Sequence, residues 1–89
     1  MEIQYRQLFL KDLKKLRKQP IYDQIYELAF TTLPNVRSLQ EITNIKAMKG
    51  YSERYRIRVG DYRVGIAVQG NSIEVMRVLH RREFYRYFP

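Results

Sequence analysis

The chain has no cysteine, a single histidine and only four glycines among its 89 residues, and each scarcity excludes a class of chemistry. Without thiols there is no disulfide staple and no thiolate to attack a substrate or ligate a metal. One His, no Cys and no clustered carboxylates leave no metal constellation, so neither a metal nor a cofactor is expected. Gly60, Gly65 and Gly70 are evenly spaced because they punctuate a hairpin pattern, and no glycine-rich phosphate loop exists. The longest uninterrupted apolar stretches are three or four residues, far short of the roughly 20 a membrane span requires. Met1-Glu2-Ile3-Gln4 carries neither a basic leader nor an apolar one, which predicts a cytoplasmic protein with no membrane partner.

What the chain does have is positive charge. Seventeen Lys and Arg stand against nine Asp and Glu, a net charge of +8. The excess is +2 up to Asn44 and +6 beyond it, and eight of the ten later basic residues are Arg. A planar, permanently charged fork suits bidentate phosphate recognition, and eight Tyr with four Phe supply flat surfaces on which bases can stack. The expectation is one domain spanning residues 1–89, with a 45% apolar content that argues against disorder and a C-terminal half that meets a polyanion. A basic surface that serves only solubility is the plainer alternative.

The hydrophobic period changes along the chain. Ile3 and Tyr5 alternate with Glu2 and Gln4, a short strand. Phe9, Leu13 and Leu16 then recur at helical spacing, leaving Lys11, Lys14, Lys15, Arg17 and Lys18 on a basic outer face. Pro20 separates this helix from a second whose stripe is Ile21, Ile25, Leu28/Ala29 and Leu33. A polar loop follows to about Thr43. From Ile45 the period is two through Leu79, broken at Gly50, Gly60-Asp61 and Gly70-Asn71. The predicted fold class is α+β in β-α-α-β-β-β-β order: two N-terminal helices packed on a small, mostly antiparallel sheet, ending in a short basic-aromatic tail.

A two-residue Gly60-Asp61 loop fixes the register of the central hairpin. Ile57 faces Val64 and Tyr55 faces Ile66 on an apolar side. On the other side Arg58 faces Arg63, Arg56 faces Gly65 and Arg54 faces Ala67. Directly opposed like charges destabilise, and Gly in a strand interior often marks close approach by a ligand or another backbone. The coincidence suggests a positively charged hollow for a phosphate backbone, the alternative being a solvated face whose Arg side chains splay into water. Beyond Gly70-Asn71, Val68 pairs Ile73 and Ile66 pairs Val75. Simple alternation then puts Arg77 on the core side, so either a bulge intervenes or the apolar face ends there. His80 sits at a strand end beside Arg81 and Arg82, a candidate base or an ordinary polar residue.

Three segments carry a family resemblance: Ile45-Lys46-Ala47-Met48-Lys49-Gly50, Tyr55 to Val64 (YRIRVGDYRV), and Val78-Leu79-His80-Arg81-Arg82-Glu83-Phe84-Tyr85. Together with length and element order, they resemble the RelE toxins of bacterial and archaeal type II toxin–antitoxin modules, within the RelE/ParE superfamily. The resemblance implies an endoribonuclease that cuts mRNA in the ribosomal A site without a metal. It also implies neutralisation by a cognate antitoxin, and contact with operator DNA only through the toxin–antitoxin complex.

Carried over by motif, Arg56 and Arg58 match the basic pair of the family's central strand. Arg63 matches the Arg after the hairpin Tyr, and Arg81 the basic residue after the last strand. The tail Tyr is Tyr85 by local motif or Tyr87 by spacing from Arg81. The family often has Lys on the central strand. With Arg there instead, proton transfer moves to His80 or a tail Tyr. Lys46, Lys49, Arg54, Arg82 and the helix lysines 11, 14, 15 and 18 are expected to bind mRNA and rRNA. Two competing readings are a ParE-like inhibitor of DNA gyrase and a nucleic-acid-binding module with no chemistry.

Overall fold

Apolar residues at helical spacing over the first third of the chain and at strand spacing over the second half build two layers. The computed structural model describes all 89 residues. Strand β1 (Glu2–Tyr5) leads into α1 (Gln7–Lys15), which buries Phe9 and Leu13 and turns its lysines outward. Helix α2 (Tyr22–Glu27) continues through a π-helical stretch, Leu28–Thr32, into the single turn α3 (Leu33–Asn35). Strands β2 (Ile45–Ala47), β3 (Arg54–Val59), β4 (Tyr62–Gln69) and β5 (Ser72–His80) follow, and a last helix, α4 (Arg81–Tyr87), closes the chain. The five strands lie in the order β1-β5-β4-β3-β2, with β1 parallel to β5 and every other pair antiparallel.

The π-helical stretch has a local cause. There the Leu33 N–H reaches back to the Leu28 carbonyl. This widening passes the Ala29 carbonyl to residue 34, and Pro34 has no N–H to give. The Tyr5 hydroxyl takes the vacant acceptor, donating to Ala29 O at 2.6 Å.

One sheet face carries the core. Phe9 and Leu13 of α1 and Ile25, Ala29 and Leu33 of the second helical segment pack on Ile57, Val64, Ile66, Ile73, Val75 and Val78. Val36 and Ile42, at the two ends of what reads as a polar loop, also join it, each 5% exposed. The central hairpin has the expected register, Val59 to Tyr62 through Arg54 to Ala67, with Gly60 at φ +57° in its tight turn.

The final strand resolves its parity with a bulge. Ile66 pairs Val75 and Gly65 pairs Arg77, leaving Met76 as the extra residue. Val78 thereby returns to the core. Asp12, 6% exposed on α1, completes the correction. Its carboxylate accepts the Val78 N–H at 3.1 Å and two guanidinium N–H bonds from Arg77, at 2.8 and 3.0 Å. That hydrogen bond raises the Arg77 pKa further above its ordinary value, against an opposing effect of burial.

The expected tail is instead helix α4, lying on the second sheet face. Phe84 and Phe88, one turn apart, are buried there with ring centroids 5.1 Å apart. Phe88 covers Gly65: a Cβ on that glycine would stand 2.7 Å from the ring. The hollow read at Gly65 is therefore filled by the protein's own helix. The close approach that the glycine signalled is real, but its partner is Phe88.

Candidate functional site

Register puts Arg54, Arg56 and Arg58 on the sheet face opposite the core, opposed by Ala67, Gly65 and Arg63. On the outer side, Lys46 of β2 stands directly across from Arg56, a second like-charge pair beside Arg58 and Arg63. Arg54, Arg56, Arg58 and Arg63 take part in none of the fold's three ion pairs. Helix α4 divides this face, and the candidate residues fall into three groups around it.

The first group lines a cleft of about 480 Å³ between β2, β3 and α4: Lys46, Lys49, Arg56, Tyr85 and Arg86, with Tyr51 at one end. No Asp or Glu side chain is among its lining residues. Arg56 reaches the Asn44 carbonyl with Nη1 at 3.3 Å, while its Nε is buried and donates to no protein group. An orphaned donor in a basic cleft with no acidic side chain is an anion-accepting arrangement. Tyr85, 60% exposed, brings the cleft a hydroxyl that can both donate and accept a hydrogen bond.

The second group gathers at the Gly60-Asp61 turn. Arg63 folds Nη1 onto the carbonyls of Gly60 and Tyr62, at 2.9 and 3.0 Å. The Arg81 backbone N–H donates to Asp61 O at 2.7 Å, fixing the start of α4 on the same turn. Its side chain lies 3.6 Å from the Asp61 carboxylate, both groups being largely exposed, and such a pair is weak. Arg58, cross-strand from Arg63, donates to the Asn44 side chain at 3.4 Å.

The third group lies on the other flank of α4. His80, Glu83 and Tyr87 line a cavity with Lys15 and Arg77, and the Arg77 guanidinium sits 5.9 Å from the Tyr87 ring centroid. His80 caps α4, its Nδ1 accepting the Arg82 N–H at 3.2 Å. With Nδ1 occupied as an acceptor, the proton of the neutral ring belongs on Nε2, which makes that nitrogen a donor and not a base. His80 and Tyr87 thus stand apart from Arg56, whereas Tyr85 shares its cleft. Arg82 is exposed on α4. Lys11, Lys14 and Lys15 line α1 on the opposite layer and Lys18 the turn after it, all exposed.

Two cleft residues escape a reading of the sequence, Arg86 and Tyr51. The signal for Arg86 was the spacing of Phe84 and Phe88, which makes residues 81–87 a helix with one apolar stripe and puts Tyr85 and Arg86 together on its flank. Tyr51 sits in the β2–β3 connection, where no period operates.

Known proteins match this arrangement closely. Residues 3–85 fit the family described as the ParE toxin of the type II toxin–antitoxin system parDE. The chain is 42% identical, over the full length of both proteins, to Toxin RelE3 of Methanocaldococcus jannaschii. It superposes on a chain of the RelB-RelE antitoxin–toxin complex from Methanococcus jannaschii with a TM-score of 0.79 at 43% identity, covering 97% of this chain and 99% of that one. An archaeal RelE-RelB complex from Pyrococcus horikoshii shares the fold, with a TM-score of 0.60 at 22% identity over 90% of this chain and 93% of that one. No helix here is long and apolar enough to cross a membrane. A basic sheet face under a short C-terminal helix, in a chain alike from end to end to these toxins, has one family to belong to: this is a RelE-type toxin of the RelE/ParE family of type II toxin–antitoxin systems.

Proposed function

We propose that the chain is a ribosome-dependent endoribonuclease that cuts mRNA in the A site and thereby stops translation. The observation that carries this reading is the basic cleft, lined by no Asp or Glu side chain, in which Arg56 keeps an unpartnered, buried Nε beside Lys46, Lys49, Arg86 and Tyr85. In the proposed reaction an RNA 2′-OH attacks its own adjacent phosphorus. The P–O5′ bond breaks, leaving a 2′,3′-cyclic phosphate on one product and a 5′-OH on the other. Tyr85 relays the 2′-OH proton, taking it up as it passes its own phenolic proton to solvent, and a proton from solvent reaches the departing O5′. Arg63 and Arg81 neutralise the charge that develops on the phosphorane, often the largest single contribution to catalysis. Arg56 and Arg58 hold the backbone in line. With no strong base in the cleft, the ribosome's positioning of the substrate supplies what the protein does not.

The lysines of α1 and the adjoining turn lie on the opposite layer from this cleft, so the reading gives them contact with rRNA and not with the cut strand. A RelB-type antitoxin, such as those in the relatives' complexes, neutralises the chain by bringing acidic residues to the arginine face, and operator DNA is met through that complex. Purified chain added to ribosomes programmed with mRNA should cut at the A-site codon, as mapped by primer extension. Arg63→Ala with Arg81→Ala should abolish cutting; undiminished cleavage by this variant would remove the assignment. The family match to ParE supports a second reading. Growth arrest with intact mRNA and blocked DNA supercoiling would establish gyrase inhibition in its place.

A further inference from the structure

We infer that the RNA track does not end in the Arg56 cleft but runs on along β3 into a second subsite, built around Tyr51 and Arg54, that holds a nucleotide flanking the scissile step. This deepens the reading of the cleft as the RNA site and rests on it. The largest cavity of the molecule, about 830 Å³, lies on the same sheet face and adjoins the cleft, the two sharing Tyr51 and Pro89 as a common wall. Its floor is the other half of the hollow expected from the hairpin register. Gly65 is covered by Phe88, but Ala67, directly across from Arg54, opens into the cavity.

Arg54 and Arg56 are alternate residues of one strand, about 7 Å apart on the same face. They form a rail along which successive phosphates of an extended single strand can be held. Arg54 joins no ion pair. Of the carboxylates beside it, Glu74 is engaged by Arg6 at 3.0 Å, and Glu53 lies in the β2–β3 turn. Tyr51, 57% exposed at the junction of the two cavities, offers a flat ring for a base. Gln69 of β4 and the free oxygen of Glu74 on β5 line the same cavity with hydrogen-bonding groups. A duplex presents no unstacked base to such a ring, so the ligand class is single-stranded RNA.

The test uses Tyr51→Ala and Arg54→Gln in the full-length chain. One arm measures cleavage of ribosome-bound mRNAs trimmed nucleotide by nucleotide on either side of the cut. The other measures anisotropy of labelled oligouridylates, two and six nucleotides long, with the isolated protein. Wild type should lose about tenfold in cleavage efficiency, mainly through KM, once the flanking nucleotide is trimmed on one side, and each variant should already lack that tenfold on long mRNA. Each variant should likewise bind the hexamer about tenfold more weakly and the dimer unchanged. Trimming effects and hexamer affinity identical in variants and wild type would overturn the inference. So would variants that cut and bind RNA normally but lose antitoxin affinity, since the groove would then seat the antitoxin. The two readings fail separately: a wild type that cuts nothing on ribosomes yet keeps a Tyr51-dependent hexamer preference ends the nuclease proposal and leaves the subsite standing. An unchanged thermal midpoint of the Tyr51→Ala chain checks that its fold is intact.

Discussion

The two faces of the sheet solve opposite problems. One is covered by α1 and the second helical segment over a cluster of thirteen buried apolar residues, and the buried carboxylate of α1, Asp12, is satisfied by three hydrogen bonds, two of them from Arg77, whose pairing with Gly65 places it on the other face. The other sets Arg58 against Arg63 and Arg56 against Lys46, and covers part of itself with Phe84 of a seven-residue helix and Phe88 just past its end. Opposed like charges cost a fraction of the roughly 0.2–1 kcal/mol typical of cross-strand pairs. Each fully buried aliphatic or aromatic side chain contributes about 1.5–3 kcal/mol. The apolar face can therefore hold the strands in register while the arginine face stays locally unfavourable, ready for an anion that relieves it.

The sharpest way to break this division is at the hairpin turn. Arg63→Ala and Arg81→Ala should each lower ribosome-dependent cleavage by about 10²–10³-fold, whereas the thermal midpoint should move by no more than about 5 °C. A double variant that melts far below wild type would mean that the arginines hold the fold together. The next largest effect belongs to the other face. Asp12→Ala leaves the Arg77 guanidinium, 19% exposed, with no counter-charge and orphans the Val78 N–H of the bulge. Breaking such a pair costs about 3–5 kcal/mol, to be read from denaturant unfolding. Replacing both partners, Asp12→Leu with Arg77→Met, should recover most of that loss.

Helix α4 belongs to both faces' logic, since it is held by packing and carries residues of the proposed site, Tyr85 and Arg86. Phe88→Ala should cost about 2–3 kcal/mol, less than a central core truncation because α4 can detach on its own. Gly65→Ala, whose new methyl meets the Phe88 ring at 2.7 Å, should cost about 1–3 kcal/mol by pushing the helix off. Combined, the two should cost clearly less than their sum, because the second change removes what the first collides with. Full additivity would show that Gly65 matters for another reason.

The arginine face was legible in the sequence because a two-residue turn with Gly60 leaves one register, and the register assigns every side chain in the hairpin to a face. The parallel edge strand and helix α4 were not. Pairing of β1 with β5 joins residues about 70 positions apart, and no local period reports it. Residues 81–87 read as a tail because the helix has a single apolar stripe of two residues, one of them just past its last turn. That omission decided what the Gly65 hollow was for. The bulge at Met76 was recognisable as a parity conflict at Arg77 but not as a solution, since its remedy, Asp12, is a long-range partner on α1.

The smallest expected effect tests whether the apolar face tolerates a polar group as economically as its geometry suggests. Tyr5 donates to the Ala29 carbonyl that Pro34 leaves unbonded, and burial raises the phenol's pKa above its ordinary value of 10.0. A group whose folded pKa exceeds its unfolded one contributes stability that is complete below the unfolded pKa and fades as pH rises through the folded pKa. Wild-type stability should accordingly decline above about pH 10, where the unfolded chain sheds a proton the folded one retains. Tyr5→Phe removes that proton and the hydrogen bond together. At neutral pH it should cost about 1–2 kcal/mol, the penalty of an unpaired helical carbonyl, and its stability should fall less steeply between pH 10 and 11. Equal alkaline slopes for the two chains would mean that the Tyr5 phenol ionises as freely in the fold as out of it. The apolar face would then be wetter beside the π-helical stretch than its packing implies.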